Sequence, residues 1–321
     1  MPARDEELRI GECLESLCRT GPVLSRVVVV DDASSDATAA AARAVSDRRI
    51  HVVDAPKLPG GALGKPAACA YGARAEASDW LWFVDADVRV EPDLLCRLLA
   101  VAEETDADLI SAVGRLVSAD WLTGWLLPEV GLAVARRTDP ARIADPTSSA
   151  SFAVGHCLLV RRSVYDAVGG HLAIADQVVD DIALARLVTS RGGVVRLATA
   201  FDGFTVRMYD DAAGMWTGLL KNTSAVRRNS VAVEMATAAL SLAPVWLSWS
   251  QRPATRALAR AAVGAQIGAN LAARSVARQP LSPALLAPFA DLLLTAHHMQ
   301  AWVYRRRGRS VRWRNRAVSL G

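Results

Sequence analysis

Along residues 7–197, short runs of consecutive apolar residues alternate with stretches whose apolar positions recur every three or four residues. Residues 26–30 (RVVVV), 49–53 (RIHVV), 80–88 (WLWFVDADV), 109–117, 152–161 and 194–197 read as strands. Between them, residues 7–19 carry apolar positions Leu8, Ile10, Leu14 and Leu17 at helical spacing. Residues 38–45, 66–75, 94–104, 162–168 and 178–190 continue the alternation as helices, with Gly169 and Gly170 stopping the one at 162–168. Apolar strands each followed by a helix predict an α/β fold, a mainly parallel sheet with helices on both faces. The Gly- and Pro-rich residues 56–65 predict a loop. Residues 118–150, WLTGWLL followed by the polar DPTSSAS, predict a flexible loop or lid.

From residue 231 the pattern changes. Residues 231–250 (VAVEMATAALSLAPVWLSWS) are about the length of a membrane span. Residues 258–273 are small and apolar, and Gly264 and Gly268 have a spacing that docks helices. Residues 281–304 are apolar but interrupted by Pro283, Pro288, Asp291, His297 and His298. The pattern predicts a membrane-embedded or membrane-lying helical hairpin with a further interfacial helix; a soluble helical subdomain is the alternative. His297 and His298 read as an interfacial pair rather than a metal site.

Composition sharpens this picture. The chain has 321 residues, 52% of them hydrophobic, with a mean hydropathy of +0.19, which is high for a purely soluble protein. Its net charge of +4 is unevenly placed: seven arginines and no acid lie between Arg305 and Arg316, leaving about −3 for the rest. A basic patch beside apolar helices fits a membrane surface. No recognition helix or aromatic platform accompanies it, so nucleic acid is not an expected partner. By the positive-inside rule the tail, residues 305–321, is expected on the cytoplasmic side, with the α/β domain at the cell membrane facing the cytoplasm. An even number of crossings then follows, so one of the three apolar segments does not span. Five scattered cysteines without a CxxC pair argue against a disulfide framework or a zinc site.

The chemistry gathers where apolar runs end. Asp85 and Asp87 close the run WLWFVDADV. Residues i and i+2 of an extended chain point the same way, and strand C-termini are where open α/β sheets bind ligands. Both carboxylates can therefore face one hard divalent cation, Mg2+ or Mn2+, that is also held by a substrate's phosphate oxygens. Two solvated acids before a turn are the bland alternative. Asp31, Asp32 and Asp36 follow RVVVV in the same way, and Asp180 with Asp181 stands at a predicted helix N-terminus, where capping alone would also explain them.

Together, PARDEE, VVVVDDASSDAT, the GK of GALGKPAACAYGA, FVDADV, GHCLLVRRSVYDAVGGH and VVDDIALAR resemble the family 2 glycosyltransferases of GT-A fold, over about residues 1–230. RMYDDAAGMWTGLLKN resembles the segment following the catalytic domain in membrane-associated members that act on isoprenoid lipids, such as carotenoid and hopanoid glycosyltransferases. The resemblance implies a catalytic domain at 1–230, membrane-associated helices at 231–304 and the basic tail. It places Pro2, Ala3 and Glu6 around the base and ribose of a UDP-sugar. Asp32 would hydrogen-bond the uracil, Asp36 would shape that loop and Lys65 would meet the nucleotide. Asp85 would lie near ribose and metal, and Asp87 would ligate Mg2+ or Mn2+ on the diphosphate.

By the same resemblance Asp181 is the base that deprotonates the acceptor, giving inversion, beside Asp180, which stands where the family commonly has Glu. A helix N-terminus stabilises the charged form of such a base. His156, Arg207, Trp216 and Lys221 are candidates for the acceptor side, with Trp216 also readable as an interfacial anchor and His156 as a satisfied pocket residue. The implied reaction moves a sugar, glucose from UDP-glucose first, to a membrane lipid. A carotenoid acid such as 4,4'-diaponeurosporenoate leads among acceptors, and hopanoid or polyprenyl-phosphate acceptors follow. The family places an apolar strand before PAR, so the native protein is expected to begin roughly ten or more residues earlier. Two other classes compete. FVDADV also fits the signature of haloacid-dehalogenase-type phosphatases, with Asp85 as a phosphorylated nucleophile, although two βα units precede it here. The third is an inactive membrane scaffold.

Overall fold

The structure, a computed structural model, describes residues 1–56, 63–75, 77–137, 152–225, 231–313 and 316–319, with positions 139, 142, 143 and 145. The chain begins β1 (Pro2–Ala3), α1 (Ile10–Cys18), β2 (Val27–Asp31), α2 (Thr38–Ala44), β3 (Ile50–Asp54) and α3 (Gly64–Ala73). It continues β4 (Trp80–Val84), β5 (Val88–Val90), α4 (Leu94–Glu104), β6 (Leu109–Val113), β7 (Arg115–Leu116) and α5 (Trp121–Arg137). Next come β8 (Cys157–Arg161), α6 (Arg162–Val168), α7 (Asp180–Ser190), β9 (Val195–Thr199), β10 (Phe204–Val206) and α8 (Ala212–Ala225). Helices α9 (Val231–Leu247), α10 (Pro253–Val276) and α11 (Ala287–Arg306) lead to a hairpin, β11 (Ser310–Trp313) and β12 (Arg316–Ser319). Residues 57–62 of the expected 56–65 loop, and most of the expected lid beyond residue 137, lie outside the described residues.

The chain divides into two units. The first comprises Met1–Arg115 and Thr138–Val206. Its parallel sheet β1-β2-β3 pairs Pro2 with Val30 and Val27 with Ile50. Met1 donates its terminal ammonium to the Val28 carbonyl at 2.9 Å, so the opening residues take a strand position where the sequence predicted none. A second sheet has the order β4-β8-β6-β9, with β8 antiparallel to both neighbours and β9 parallel to β6. The expected mainly parallel sheet is thus a mixed one. A strand buried on both faces is apolar throughout in either direction, so its pattern carries no sign of polarity. Phe83, Leu109, Leu158, Val160, Leu184 and Val188 form the core beneath this sheet. Truncating one such leucine to alanine costs about 2–5 kcal/mol. Helix α6 ends where Gly169 takes φ +84°, a left-handed stop that only glycine adopts without strain.

The run 80–88 is interrupted rather than continuous. Val84 pairs with Cys157, the Asp85 N–H donates to the His156 carbonyl at 3.1 Å, and a turn then intervenes before β5. That turn lifts both aspartates out of the ladder at the strand's C-terminal end. Strand β5 pairs antiparallel with β10, which lies between β5 and β7 and makes 195–199 the penultimate rather than the last strand before the helices.

The second unit comprises Leu116–Arg137 and Arg207–Gly321. Residues 121–137, expected to be loop, form α5 and share a core with the later helices: Trp125, Leu126 and Leu127 cluster with Tyr209 and Met215. The division therefore differs from a boundary at 230, because the apolar face of α5 is buried by residues beyond 206. Pro128 inside α5 cannot donate to the Gly124 carbonyl four residues back. Arg274 of α10 donates to it instead, through Nη1 at 2.9 Å. The same guanidinium pairs with Glu129 at 2.8 Å, and Asn270 donates to both Glu129 oxygens. Helices α9, α10 and α11 run against one another through Gln266 to the Ser241 carbonyl, Ser241 to Asp291, and Thr295 to the Glu234 carbonyl.

No described helix is long and apolar enough to cross a membrane, so the expected membrane-embedded or membrane-lying hairpin has no spanning helix among the described residues. The reasons are local. Helix α9 has 17 residues, about 25 Å at 1.5 Å per residue, and holds Pro244; α10 carries Arg256, Arg260 and Arg274; α11 carries Asp291, His297 and His298. In the basic tail, Arg305 and Arg306 still belong to α11, and β11 pairs antiparallel with β12, Ser310 opposite Ser319.

Candidate active site

Two loops of the first unit brace each other beyond β1 and β2. Asp36 accepts the Glu7 N–H at 3.1 Å and the Thr38 N–H at 3.0 Å, and Glu7 in turn accepts the Ala37 N–H at 2.9 Å. Asp5 accepts the Ser35 N–H at 2.7 Å and donates its own to Ser34. Burial works to raise Asp36, but the hydrogen bonds from Thr38 and Glu7 outweigh it and hold the carboxyl below its ordinary range. Asp32 is buried at the head of β2; its backbone N–H reaches the Ala3 carbonyl, its own carbonyl accepts from Arg4, and its carboxylate lies 3.9 Å from that guanidinium. The Glu6 carboxylate is occupied by Arg9 at 3.1 Å. Pro2, Ala3, Glu6, Asp32 and Asp36 thus share one rim, with Arg4 as a cation the sequence reading left out.

Asp85 and Asp87 stand on the turn after β4, packed on α1, where the Cys13 thiol donates to the Asp85 carbonyl. Lys65, in the first turn of α3, holds the Asp85 carboxylate at 2.9 Å. Burial acts to lower Lys65, yet the carboxylates of Asp180 and Asp85 outweigh it, and its pKa lies well above the ordinary lysine value. The residues 85, 180 and 181 therefore act on one ammonium.

Asp180 and Asp181 occupy the first turn of α7, as the sequence placed them. Asp180 is buried, while Asp181 accepts the Ile182 N–H at 2.8 Å and lies against Gly155, where a Cβ would stand 3.1 Å from its Oδ2. Burial first, then the neighbouring charge of Asp180, pushes Asp181 up to about 6, with Lys65 pulling the other way. At neutral pH it is an ionised carboxylate of raised basicity, suited to accepting a proton. His156 flanks the same acids; burial lowers its pKa against the pull of Asp85, so it is a neutral imidazole.

Behind Asp180 stands a residue to which the sequence reading gave no role. His171 is buried, with Nε2 4.0 Å from Asp180, Nδ1 3.0 Å from the Tyr165 hydroxyl and its ring edge-on to Phe83. Burial pushes it down to about 4, so it is neutral. The Tyr165 oxygen also accepts the His171 backbone N–H at 3.1 Å; with the hydroxyl proton given to Nδ1, Nε2–H would face Asp180. Its only trace in the sequence is as the last letter of GHCLLVRRSVYDAVGGH. Arg207, Trp216 and Lys221 belong to the second unit. Arg207 is exposed, and Trp216 is half-buried, its indole donating to Gln300 at 2.8 Å and its ring edge-on to His297.

Asp85 and Asp87 offer hard carboxylate oxygens, and among the described residues no group of three or more His, Cys, Asp or Glu side chains is set to hold a metal by itself. That donor set fits Mg2+ or Mn2+ completed by substrate phosphates and water, rather than an all-protein cage.

A family model described as Glycosyl transferase family 2 matches residues 1–169. The chain belongs to this family. Membership in glycosyl transferase family 2 removes the reading of Asp85 as a phosphorylated nucleophile. The chain is 29% identical over 218 residues to 4,4'-diaponeurosporenoate glycosyltransferase of Staphylococcus aureus strain MRSA252, covering 66% of this chain and 56% of the relative. The protein of that name from strain USA300 matches equally. The chain thus spans about half the length of the curated relatives it matches. Among solved structures, the mannosyltransferase PcManGT of Pyrobaculum calidifontis, in complex with GDP-Man and Mn2+, superposes with a TM-score of 0.58 at 20% identity. The match covers 94% of this chain and 84% of that one, and it supports the GT-A fold.

Proposed function

We propose that this family 2 member is an inverting, metal-dependent glycosyltransferase that moves glucose from UDP-glucose to a membrane lipid, an isoprenoid acid such as 4,4'-diaponeurosporenoate, at the cytoplasmic face of the cell membrane. The observation that carries the reaction class is the gathering of Asp85, Asp180 and Asp181 around Lys65. The nucleotide's base and ribose lie against the braced rim of Pro2, Ala3, Glu6, Asp32 and Asp36. Lys65 sets a positive charge beside the carboxylate that faces the donor. Asp85 and Asp87 would hold Mg2+ or Mn2+, whose charge offsets that developing on the leaving diphosphate. Asp181 orients the acceptor oxygen, and takes its proton where the acceptor is an alcohol, so that attack comes from the face opposite the leaving group. Asp180 raises the basicity of Asp181, and His171 holds Asp180 in place.

The likeness to 4,4'-diaponeurosporenoate glycosyltransferase supports the carotenoid acid ahead of hopanoids or polyprenyl phosphates. The test is transfer of radiolabel from UDP-glucose, with Mg2+ or Mn2+, by membranes containing the protein into extracted carotenoid acids or total isoprenoid lipid. Asp181→Asn is expected to lower transfer to an alcohol acceptor by about a thousandfold, within the range of general-base contributions, and transfer to a carboxylate acceptor, which Asp181 only orients, by about a hundredfold. Label that enters the lipid equally in the variant removes Asp181 as the base. Label that enters only a hopanoid or polyprenyl-phosphate fraction changes the acceptor and keeps the mechanism. Donor binding without transfer to any lipid favours the inactive scaffold.

A further inference from the structure

The turn joining α9 to α10 exposes large apolar side chains and positive charge together. Trp246, Trp249 and Leu258 are 78%, 81% and 73% exposed. Around them Arg252 and Arg260 are also exposed, with Arg256 partly so. From Met235 to Ala290 the chain has five arginines and no acidic residue; Arg274 is consumed by Glu129, and the segment offers the other four nothing to offset them.

Beyond the turn, α10 carries an outward strip of Leu258, Ala261, Ala265, Ala269, Ala272 and Val276. No charged residue falls between Arg260 and Arg274, and the strip is about 27 Å long at 1.5 Å per residue. An apolar strip of that length is unfavourable in water.

We propose that the α9–α10 turn and the outward face of α10 form a docking surface for an anionic phospholipid bilayer, with α10 lying in the interface plane rather than crossing it. The pieces fit one another. Indoles favour the headgroup level, where one end of the ring is apolar and the other wet. Arg252, in the turn beside the indoles, meets lipid phosphates; Arg256 and Arg260, which helical spacing sets on the other side of α10 from the strip, add longer-range attraction to an anionic surface, and the apolar strip enters the acyl boundary. The arginines on α10 exclude a span but suit an in-plane helix. A second copy of the chain would bring the same uncompensated arginines into apposition, which argues against self-association as the occupant.

The test is co-sedimentation of the full-length chain with phosphatidylcholine vesicles, with and without phosphatidylglycerol, in the absence of donor and acceptor. It therefore stands or falls separately from the proposed reaction. The intact chain is expected to bind vesicles containing phosphatidylglycerol and to be released by high salt. Arg252→Gln, Arg256→Gln and Arg260→Gln together are expected to weaken that binding by up to about fivefold per arginine and to reduce the preference for anionic lipid. Trp246→Ser with Trp249→Ser is expected to weaken binding to both vesicle types by about tenfold. Both Trp side chains lie outside the core, and the arginine variant provides a second reading should the Trp variant melt early. Unchanged binding in both variants overturns the proposal. So does a vesicle-independent dimer that the Trp variant disperses.

Discussion

Each unit holds a cluster of interacting charges, and the two are built on opposite principles. In the second unit Arg274 uses all five of its N–H groups, to Asn270, Gly124, Pro280, Trp125 and Glu129, and Glu129 is held by the arginine and by Asn270. The charges cancel and every guanidinium donor has an acceptor. In the first unit one ammonium, Lys65, faces Asp85, Asp180 and Asp181. Carboxylates outnumber cations, and burial first, with the charge of Asp180 second, displaces Asp181 to about 6. A closed cluster holds helices together. An open one keeps unspent charge for something that arrives later, which is why displaced carboxylates mark functional sites.

The largest effect is expected from breaking the closed cluster. Glu129→Ala leaves the Arg274 charge buried without its partner and is expected to cost about 3–5 kcal/mol in urea unfolding. Adding Arg274→Met should recover only part of that loss. The carbonyls of Gly124 and Trp125 then lose their donor, and the Gly124 carbonyl has no helical partner because residue 128 is proline. A loss below about 1 kcal/mol in the single variant would show that the cluster is not what joins α5 to α10.

The contrast with the open cluster is partly legible in the letters. Asp85, Asp87, Asp180 and Asp181 announce themselves by standing where apolar runs end, and the structure puts them on a turn and in a first helical turn, respectively. Lys65 was legible through the GK of its segment. The Arg274–Glu129 pair was not, because nothing local marks two residues that meet across 145 positions, and WLTGWLLPEV reads as irregular when its proline is scored without the side chain that compensates it. The same holds for His171, whose partners Tyr165 and Asp180 are supplied by a fold-back rather than a motif. Strand direction was also hidden in β8. What the letters express is burial and the ends of burial; what they omit is which distant side chain completes a group.

Next in size are two effects that nearly cancel in the intact protein. Asp181 has a folded pKa raised from 3.8 to about 6, so the folded state binds more protons between those values and stability falls as pH rises through them. His171 is lowered from 6.5 to about 4, so the unfolded state binds more protons there and stability rises with pH over nearly the same window. Between about pH 4 and 6.5 these two contributions offset one another, and the intact chain should keep the rise due to His297, which burial also lowers from 6.5 to about 4, and to His156. Asp181→Asn should stabilise the protein by on the order of 1 kcal/mol at pH 8, by nothing at pH 3, and leave the rising histidine slope exposed. His171→Phe should flatten the rise, because the falling Asp181 slope then opposes the remaining histidines. Urea melts across this range check both, and parallel profiles in all three proteins would refute the assignment. The gain at Asp181 sharpens the comparison, since the equivalent cut in the closed cluster destabilises.

The smallest effect tests how finely the open cluster is placed. A Cβ on Gly155 would stand 3.1 Å from the Asp181 Oδ2, 3.3 Å from its Cβ and 3.4 Å from its Cγ. Gly155→Ala therefore asks the Asp181 side chain to give by a few tenths of an ångström, while β8 begins two residues later and keeps its ladder. Unfolding free energy should change by less than about 1 kcal/mol, as for substitutions that create no cavity and bury no charge. Transfer should fall by about tenfold, because rates depend steeply on the alignment of a base with its acceptor. The loss should appear in kcat with the KM for the nucleotide sugar unchanged, since Gly155 touches the base and not the rim formed by Ala3, Glu6, Asp32 and Asp36. A rise in donor KM with kcat intact would instead place Asp181 on the donor side of the cluster, beside Lys65 and Asp85.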